Sequence, residues 1–304
     1  MRNVVVIGAA AGDRVLSVEN LPRRGEDISA IDHGWQIGGC AFNVLRALTR
    51  LQIPITNGVR VGCGEWGQRV RQALLSLNIE PILTSSTQDN GWCFALTEPD
   101  GERTFISIPG CEEHWSRAEL QALNIPDDAI IYATGYELGC SQGEELQKWL
   151  LNDCTTQTFV LDLGPRLAAL SATFLTQLPK NRTILTLNRD EARFLCGDGD
   201  IVPQSLDYAN RHGMTLIVRL DSQGAWLCHP NEPAIFVPAY KVKVVDTIGA
   251  GDAHTAGVLA GMSQGKSLTE SIDLGNLVAA IVVSKSGPSG APTRNEIAHF
   301  LALC

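Results

Sequence analysis

The 304-residue chain has 24 basic and 33 acidic side chains, a formal net charge of −9, and 44% hydrophobic residues. This is the composition of a soluble globular protein with room for one large α/β core, and the acidic balance argues against a general nucleic-acid or membrane-surface binder. The nine cysteines show no C-x-x-C pair, and no signal segment precedes the first strand pattern, so we expect reduced thiols and a cytoplasmic protein.

The first third of the sequence mixes buried and half-exposed strand patterns. Residues 4–7 form an apolar strand candidate. The pattern is polar and irregular over residues 14–36, with short alternating pieces such as 27–31, and it alternates again over 90–110, where Pro99-Asp100-Gly101 marks a hairpin turn. We therefore predict that segments 14–36 and 90–110 form a small β-sheet lid with one exposed face.

The rest of the chain alternates short apolar strands with helices. Strands are predicted over residues 59–61, 81–83, 129–133, 159–163, 183–187, 216–220 and 242–245. Helices are predicted from Gly38-Gly39 onward and over residues 68–77, 143–151, 190–195, 253–262 and 268–284. This β–α order predicts one domain over residues 1–304, with a mostly parallel central sheet and helices on both faces. Ligands of such sheets bind beyond the C-terminal strand ends.

The most informative run is Asp246-Thr-Ile-Gly-Ala-Gly-Asp-Ala-His-Thr-Ala-Gly-Val258. The turn Gly249-Ala250-Gly251 leaves room for backbone amides to face a ligand at a helix N-terminus, which favours a phosphate or a developing negative charge. Asp252 follows at once, and a carboxylate there suits the removal of a proton from a hydroxyl that attacks phosphorus. For Gly-Ala-Gly alone, a strand–helix turn with an Asp as its cap would be the favoured interpretation.

Two other glycine patterns are weaker. Gly62-Cys-Gly-Glu-Trp-Gly67 fits G-x-G-x-x-G, but no acidic residue ends the next strand about 20 positions later, so a tight β–α turn is favoured over NAD binding. Gly261-Met-Ser-Gln-Gly-Lys-Ser267 has three residues between its glycines where a P-loop needs four. We interpret it as a helix end followed by a polar turn.

The long run from Asp246 resembles the second signature of the ribokinase (PfkB-type) carbohydrate kinase family. Gly38-Gly39-Cys40-Ala41-Phe42-Asn43 resembles its first signature, and Asn188-Arg189-Asp190-Glu191 resembles its N-x-x-E motif, all in the expected order. The segments 90–93, 99–104 and 246–252 resemble those of uncharacterised bacterial sugar kinases of this family. The resemblance implies a ribokinase-like three-layer α/β/α fold with a β-sheet lid, and ATP-dependent phosphorylation of a hydroxyl on a small sugar or sugar-like substrate.

The resemblance also implies roles for individual residues. Asp252 would be the general base, beside an anion hole made by Gly249, Ala250 and Gly251. The substrate would be bound by Asp252 with Asp13, Gly38, Gly39, Asn43, Glu137 and Arg166. The nucleotide would be bound by Asn188, Glu191, Arg219, Asp221, Gly224, Gly249, Gly251 and Asn276. Glu191 would hold Mg²⁺ through water, and Asp246 with the Ile248 carbonyl would hold a monovalent cation, so activation by K⁺ is a hypothesis.

Three positions depart from the family pattern. Cys40 stands where ribokinases usually have Lys, Arg219-Leu220-Asp221 stands where members often have Thr-Leu-Gly, and Gly164 replaces Asn in Asp162-Leu-Gly-Pro-Arg166. Cys40 argues against ribokinase proper, and Arg219 adds a charge near the phosphates.

Aromatic residues near the lid keep a second substrate class open. Trp35, Trp92, Trp115 and Tyr136 would suit stacking on a nucleobase, so a nucleoside kinase, including a pseudouridine-type one, is the alternative, while the same rings also suit a lid core or a dimer interface. A non-catalytic ligand sensor is a further alternative. The exposed edges of a lid sheet favour a homodimer through the lid.

Overall fold

The computed structural model describes residues 1–285 and 290–303. Its strands are β1 (Val4–Gly8), β2 (Ala11–Ser17), β3 (Ile31–Gly38), β4 (Ile55–Val61), β5 (Leu83–Thr84), β6 (Trp92–Thr97), β7 (Arg103–Ile108), β8 (Ile130–Thr134), β9 (Thr158–Asp162), β10 (Thr183–Leu187), β11 (Thr215–Arg219), β12 (Gly224–Cys228) and β13 (Ile235–Pro238).

Its helices are α1 (Cys40–Arg50), α2 (Glu65–Ser76), α3 (Arg117–Gln121), α4 (Gly135–Leu138), α5 (Glu144–Asn152), α6 (Ala172–Gln177), α7 (Arg189–Cys196), α8 (Ile201–His212), α9 (Ala250–Ser263), α10 (Leu268–Val283) and α11 (Arg294–Leu303). Within the described ranges no helix combines the length and the apolar character needed to cross a membrane.

The central sheet has nine strands in the order β13-β12-β11-β10-β9-β8-β1-β4-β5. The strands from β11 to β5 in this order run parallel, and β12 and β13 are antiparallel additions at one edge. The C-terminal ends of β1, β8, β9, β10 and β11 therefore meet at one edge of the sheet, where ligands of this architecture bind.

Strand β1 shows how the sheet separates two cores. Val4 and Val6 pack into one hydrophobic cluster, together with buried residues of α1, α2, α9 and α10. Val5 and Ile7 pack into the other, with buried residues of α5, α6, α7 and α8. Successive strand residues point to opposite faces, so an uninterrupted apolar strand needs helices on both sides. The predicted three-layer α/β/α arrangement with a mostly parallel sheet is confirmed.

A separate four-stranded sheet, the lid sheet, has the order β3-β2-β6-β7. Strands β2 and β6 pair in parallel, and the two outer pairs are antiparallel. The predicted hairpin at Pro99-Asp100-Gly101 joins β6 to β7, closed by a hydrogen bond from the Glu98 amide to the Glu102 carbonyl (3.0 Å). The strands of this sheet begin at Ala11 and end at Ile108, and β2 follows β1 after two residues.

Two predicted strands are wrong. Residues 242–245 are irregular, and Val244 and Val245 are 56% and 57% exposed. Strand β13 already forms the edge of the central sheet, so within residues 1–285 and 290–303 this run has no neighbouring strand to pair with and no apolar surface to pack against. Residues 27–30 are exposed and lie outside any strand, and only Ile31 of that predicted piece begins one. The apolar β-branched composition of 242–245 misled the prediction because strand propensity depends on a neighbouring face to pack against.

The G-x-G-x-x-G segment is a β4–α2 turn held by a single carboxylate. Asp89 accepts hydrogen bonds from the amides of Gly64 (3.2 Å), Trp66 (3.0 Å) and Gly67 (2.6 Å). A carboxylate therefore occupies the position at which a dinucleotide fold would place a pyrophosphate. The interpretation as a tight turn is confirmed by this geometry, and the second pattern likewise forms the end of α9 and a capping box at Ser267 that starts α10.

Replacing Asp89 tests this structural role. We expect Asp89→Ala to lower the free energy of unfolding by roughly 2–4 kcal/mol, since several charge-assisted hydrogen bonds are lost and the amides are left unsatisfied. Chemical denaturation monitored by circular dichroism measures the change. The control is Asp190→Ala, whose side chain is 88% exposed and which should change stability by less than about 1 kcal/mol. Equal, small effects of both substitutions would contradict the role assigned to Asp89.

Candidate active site

The candidate site lies at the N-terminus of α9. Gly249 precedes the helix with φ +71°, a left-handed backbone conformation that glycine adopts at the least cost. The amide of Ala250 donates to the Thr247 carbonyl (3.2 Å), so it is already used in the turn. The amides of Gly251 and Asp252 lie in the first helical turn, where their own helix supplies no carbonyl, and they carry the positive end of the helix dipole.

Asp252 contacts the first signature directly. The Asn43 side chain donates from Nδ2 to Asp252 Oδ2 (2.7 Å), and Arg46 in turn donates to Asn43 Oδ1 (2.7 Å). Cys40, in the first turn of α1, also lies against the Asp252 carboxylate. Desolvation raises the pKa of Asp252 to about 6, against the opposing effect of the Asn43 hydrogen bond. The two predicted signatures thus meet at a carboxylate whose pKa suits proton transfer near neutral pH.

Arg219 lies over the same turn. A Cβ atom added to Gly251 would lie only 2.9 Å from Arg219 Nη1, so the missing side chain of Gly251 makes room for the guanidinium. Arg219 pairs with Asp162 (3.0 Å) and approaches Glu191 (3.8 Å). Burial opposes the charge of Arg219, but the neighbouring carboxylates keep its pKa above the ordinary value. A permanent positive charge is therefore held beside the helix amides.

The substrate side joins the lid sheet to α1. Asp13 on β2 accepts a hydrogen bond at Oδ1 from Cys93 Sγ on β6 (3.0 Å). Its Oδ2 faces Gly38 so closely that a side chain at Gly38 would overlap it, and Gly39 follows as the residue before α1. Desolvation raises the pKa of Asp13, although its hydrogen bonds with Cys93 and Gln36 oppose the rise. Asp13, Gly38 and Asn43 therefore form one connected wall that leads to Asp252.

Glu137 and Arg166 have other contacts. Buried Glu137 accepts from the Ala9 amide (2.8 Å) and from the Thr134 hydroxyl, and desolvation raises its pKa to about 7. It links the ends of β1 and β8, so its visible role is structural. Arg166 is exposed, with its guanidinium 5.7 Å from the centre of the Tyr136 ring. The structure does not bring either side chain into contact with Asp252.

The N-x-x-E motif forms a capping box at the start of α7. Asn188 Oδ1 accepts from the Glu191 amide (2.9 Å), while Glu191 accepts from the Asn188 amide (2.8 Å) and from Asn188 Nδ2 (2.7 Å). Burial raises the pKa of Glu191. Helix capping is thus one role of this pair. The pair also places the Glu191 carboxylate beside Arg219, at the C-terminal edge of the sheet.

The remaining predicted nucleotide residues lie around β12 and β13. Asn276 on α10 donates from Nδ2 to the carbonyls of Val237 and Pro238 (both 3.1 Å), and Gly224 packs closely against the Val237 carbonyl. Asn276 thereby fixes β13 to α10, whereas Gly224 belongs to the close pairing of β12 with β13. Asp221 points into solvent with 80% of its side chain exposed, 3.9 Å from Arg189.

Sequence reasoning missed three contributors to this site. Asp162 ends β9, is buried, and accepts from both Arg219 and Thr255. Its place after a buried strand was a usable signal, since carboxylates at strand ends face the ligand edge. Cys93, which contacts Asp13, gave no such signal because a cysteine in an apolar run suggests only core packing. Cys40 stands out in the sequence only as a departure from the family pattern, which does not predict its contact with Asp252.

Comparison with known proteins places nearly the whole chain in one family. Residues 1–294 match the pfkB family of carbohydrate kinases. Over 302 residues the chain is 38% identical to an uncharacterised sugar kinase of Escherichia coli (strain K12), covering 97% of this chain and 93% of that protein.

Solved structures show the same fold. The ribokinase of Thermotoga maritima superposes with a TM-score of 0.84 at 22% identity, covering 99% of this chain and 100% of the other. The aminoimidazole riboside kinase of Salmonella enterica, solved with aminoimidazole riboside and an ATP analogue, superposes with a TM-score of 0.76 at 22% identity, covering 99% and 100%. With the match along the sequence, these likenesses show that the chain belongs to the pfkB family of carbohydrate kinases and is a carbohydrate or nucleoside kinase of the ribokinase fold.

Proposed function

We propose that the protein transfers the γ-phosphoryl group of ATP to a hydroxyl of a small sugar or sugar-like substrate, with Asp252 as the general base. The observation that carries this proposal is the position of Asp252 in the first turn of α9, bonded to Asn43 and next to the helix amides. A hydroxyl held against Asp252 would lie between a proton acceptor and a site for negative charge.

The proposed phosphoryl transfer accounts for every bond and for the proton of the attacking hydroxyl. The substrate oxygen forms a bond to the γ-phosphorus, its proton passes to Asp252, and the bond between the γ-phosphorus and the bridging oxygen breaks to release ADP. A base in this role contributes about 10²–10⁴-fold. Because the Ala250 amide is bonded to Thr247, the Gly251 amide and Arg219 carry more of the charge stabilisation than a uniform Gly249-Ala250-Gly251 hole would suggest.

Substrate binding is assigned to Asp13, Gly38, Gly39 and Asn43. Asp13 Oδ2 and the Asn43 amide suit pairs of hydroxyl groups, and the glycines admit a ligand close to the backbone. Arg166 is retained as a candidate for an acidic substrate group, since its exposed side chain can move from the Tyr136 ring. Glu137 supports this wall from beneath through the Ala9 amide.

We assign nucleotide binding to a group of residues on the other side of the site, with Asp221 at the margin of that group. They are Asn188, Glu191, Arg219, Gly224 and Asn276. In the described part of the chain, no group of three or more His, Cys, Asp or Glu side chains is arranged to hold a metal ion. This fits Mg²⁺ held mainly by phosphate and water, with Glu191 contacting its water shell. When bound, Mg²⁺ would neutralise charge on the transferred phosphoryl group.

The tryptophans favour a sugar over a nucleoside. Trp66 stacks on Trp92 (5.9 Å between ring centres) and contacts Trp35 edge-on (6.5 Å). These three rings therefore pack against each other. Trp115 is buried beside Arg60. Tyr136 is 43% exposed, its ring centre lies 5.7 Å from the guanidinium carbon of Arg166, and among the described residues it stacks on none of these tryptophans. The nucleoside kinase alternative therefore depends on Tyr136.

A coupled ADP-release screen tests the proposed reaction. The panel holds pentoses, hexoses, ketoses, sugar acids and nucleosides including pseudouridine, each with Mg-ATP. We expect turnover with one compound class and a loss of about 10²-fold or more in kcat for Asp252→Asn, since the base is removed. The exposed Asp207→Asn variant, on α8, is the control and should keep full activity. Unchanged turnover in Asp252→Asn would refute the base assignment, and no turnover with any compound, despite ATP binding, would favour the sensor alternative.

The pH dependence of kcat/KM gives a second test. The pKa of Asp252 is raised to about 6 by burial, and the deprotonated carboxylate is the base, so activity is present above this pH and lost as the pH falls through it. We expect kcat/KM to fall by about tenfold per pH unit below that value. A profile that stays level down to about pH 4, the range of an unperturbed Asp, would contradict the assignment.

We also propose a homodimer formed through the lid sheet. Its edge strands, β3 and β7, carry exposed apolar side chains, among them Ile31 (67%), Phe105 (57%) and Ile106 (53%). Unpaired strand edges and apolar surface favour association with a second copy. Light scattering should give twice the chain mass of 32.8 kDa, and Ile106→Lys should give a monomer while Leu301→Lys on α11 stays dimeric. A monomeric wild-type protein would overturn this proposal.

A further inference from the structure

A guanidinium from the lid sheet reaches the loop that leads to the phosphoryl site. Arg103, the first residue of β7, places Nη1 3.5 Å from Asp246 Oδ1, and both side chains are mostly buried (27% and 16% exposed). The same carboxylate oxygen accepts the Ile248 amide (3.0 Å). Arg103 is also steadied by Thr97 on β6, to which its Nε donates (3.4 Å).

This contact changes the expectation of a monovalent cation beside Asp246. The carboxylate that would attract the ion already has a fixed positive partner, and a second cation within a few ångströms of a buried guanidinium meets strong repulsion. A guanidinium also donates directional hydrogen bonds, which a spherical ion does not. The surroundings of Asp246 therefore suit the guanidinium of Arg103 better than a bound K⁺.

The contact has a structural consequence for the site. Residues 246–248 form the loop directly before Gly249. The conformation of this loop therefore sets the positions of the Gly251 amide and of Asp252. Arg103 belongs to the lid sheet, which also carries Asp13. One ion pair thus joins the substrate-binding sheet to the loop that positions the general base.

We propose that Arg103 is a positioning residue that takes the place of a monovalent cation at Asp246, so that the enzyme works without K⁺. The proposal deepens the function proposed above and rests on it for its catalytic consequence. Its ion-binding consequence stands on the Arg103–Asp246 geometry alone.

Thermal unfolding of the full chain tests the ion-binding consequence without a substrate. Wild type, Arg103→Gln and the control Arg193→Gln, whose side chain is 50% exposed on α7, are melted in KCl and in choline chloride at equal ionic strength. We expect wild type and control to melt within about 1 °C in the two salts, whereas KCl should raise the Tm of Arg103→Gln by about 2–4 °C, as expected for an ion that binds the folded state alone. A K⁺-stabilised wild type would overturn the proposal, and so would an Arg103→Gln variant that does not respond to K⁺.

Kinetics on the substrate found by screening test the catalytic consequence. Wild type should release ADP at equal rates in KCl and choline chloride. Arg103→Gln should lose about tenfold in kcat in choline chloride, the scale of one misplaced charge-assisted contact, and recover most of it in KCl. Activation of the wild type by K⁺, or unchanged kcat in Arg103→Gln, would refute the positioning role. Failure of the kinase proposal would show as no turnover in any salt and leave the melting comparison decisive for the ion site.

Discussion

The buried ion pair between Arg219 and Asp162 is the interaction on which the candidate site depends. Arg219 is surrounded by Asp162, Glu191 and the first turn of α9, and the three charged side chains are largely shielded from solvent. Removing either partner of such a pair leaves an uncompensated buried charge, which is far more costly than the pair itself. The guanidinium of Arg219 is therefore held in place and desolvated by the fold itself, which, for the function proposed above, is the condition for effective electrostatic stabilisation of a phosphoryl group.

The parallel sheet explains how this pair and the base come together. Asn43 and Asp252 are 209 residues apart in sequence, and Asp162 and Arg219 are 57 apart, yet each pair is in hydrogen-bond contact. Strands β9 and β11 end at the same edge of the sheet, with β10 between them, so their last residues are brought side by side. The α9 N-terminus lies over this edge, and its small residues let Arg219 approach the backbone.

The groups bonded directly to the carboxylates of Asp13 and Asp252 are neutral. Cys40 lies against Asp252 beside the Asn43 amide, and Cys93 donates to Asp13. Neither thiol carries a positive charge, so burial dominates and raises the pKa of both aspartates. Nearby His254 adds no charge either, because burial lowers its pKa to about 3. In the proposed function, the guanidinium of Arg219 would face the phosphates, while the groups bonded directly to Asp13 and Asp252 are neutral.

The fold class could be predicted from the amino-acid order alone, since uninterrupted apolar strands alternating with helices can be buried only in a sheet covered on both faces. The Asp252 turn and the order of the signatures could be predicted as well, because these depend on local backbone geometry and residue spacing. The irregular backbone of residues 242–245, the place of Asp89 in the G-x-G-x-x-G turn and the contact of Arg103 with Asp246 became visible only in the folded chain. The same is true of the hydrogen bond that ties Glu137 to the Ala9 amide after β1. These outcomes depend on which distant groups become neighbours, and charge pairing and burial are properties of that neighbourhood, not of the residues taken in order.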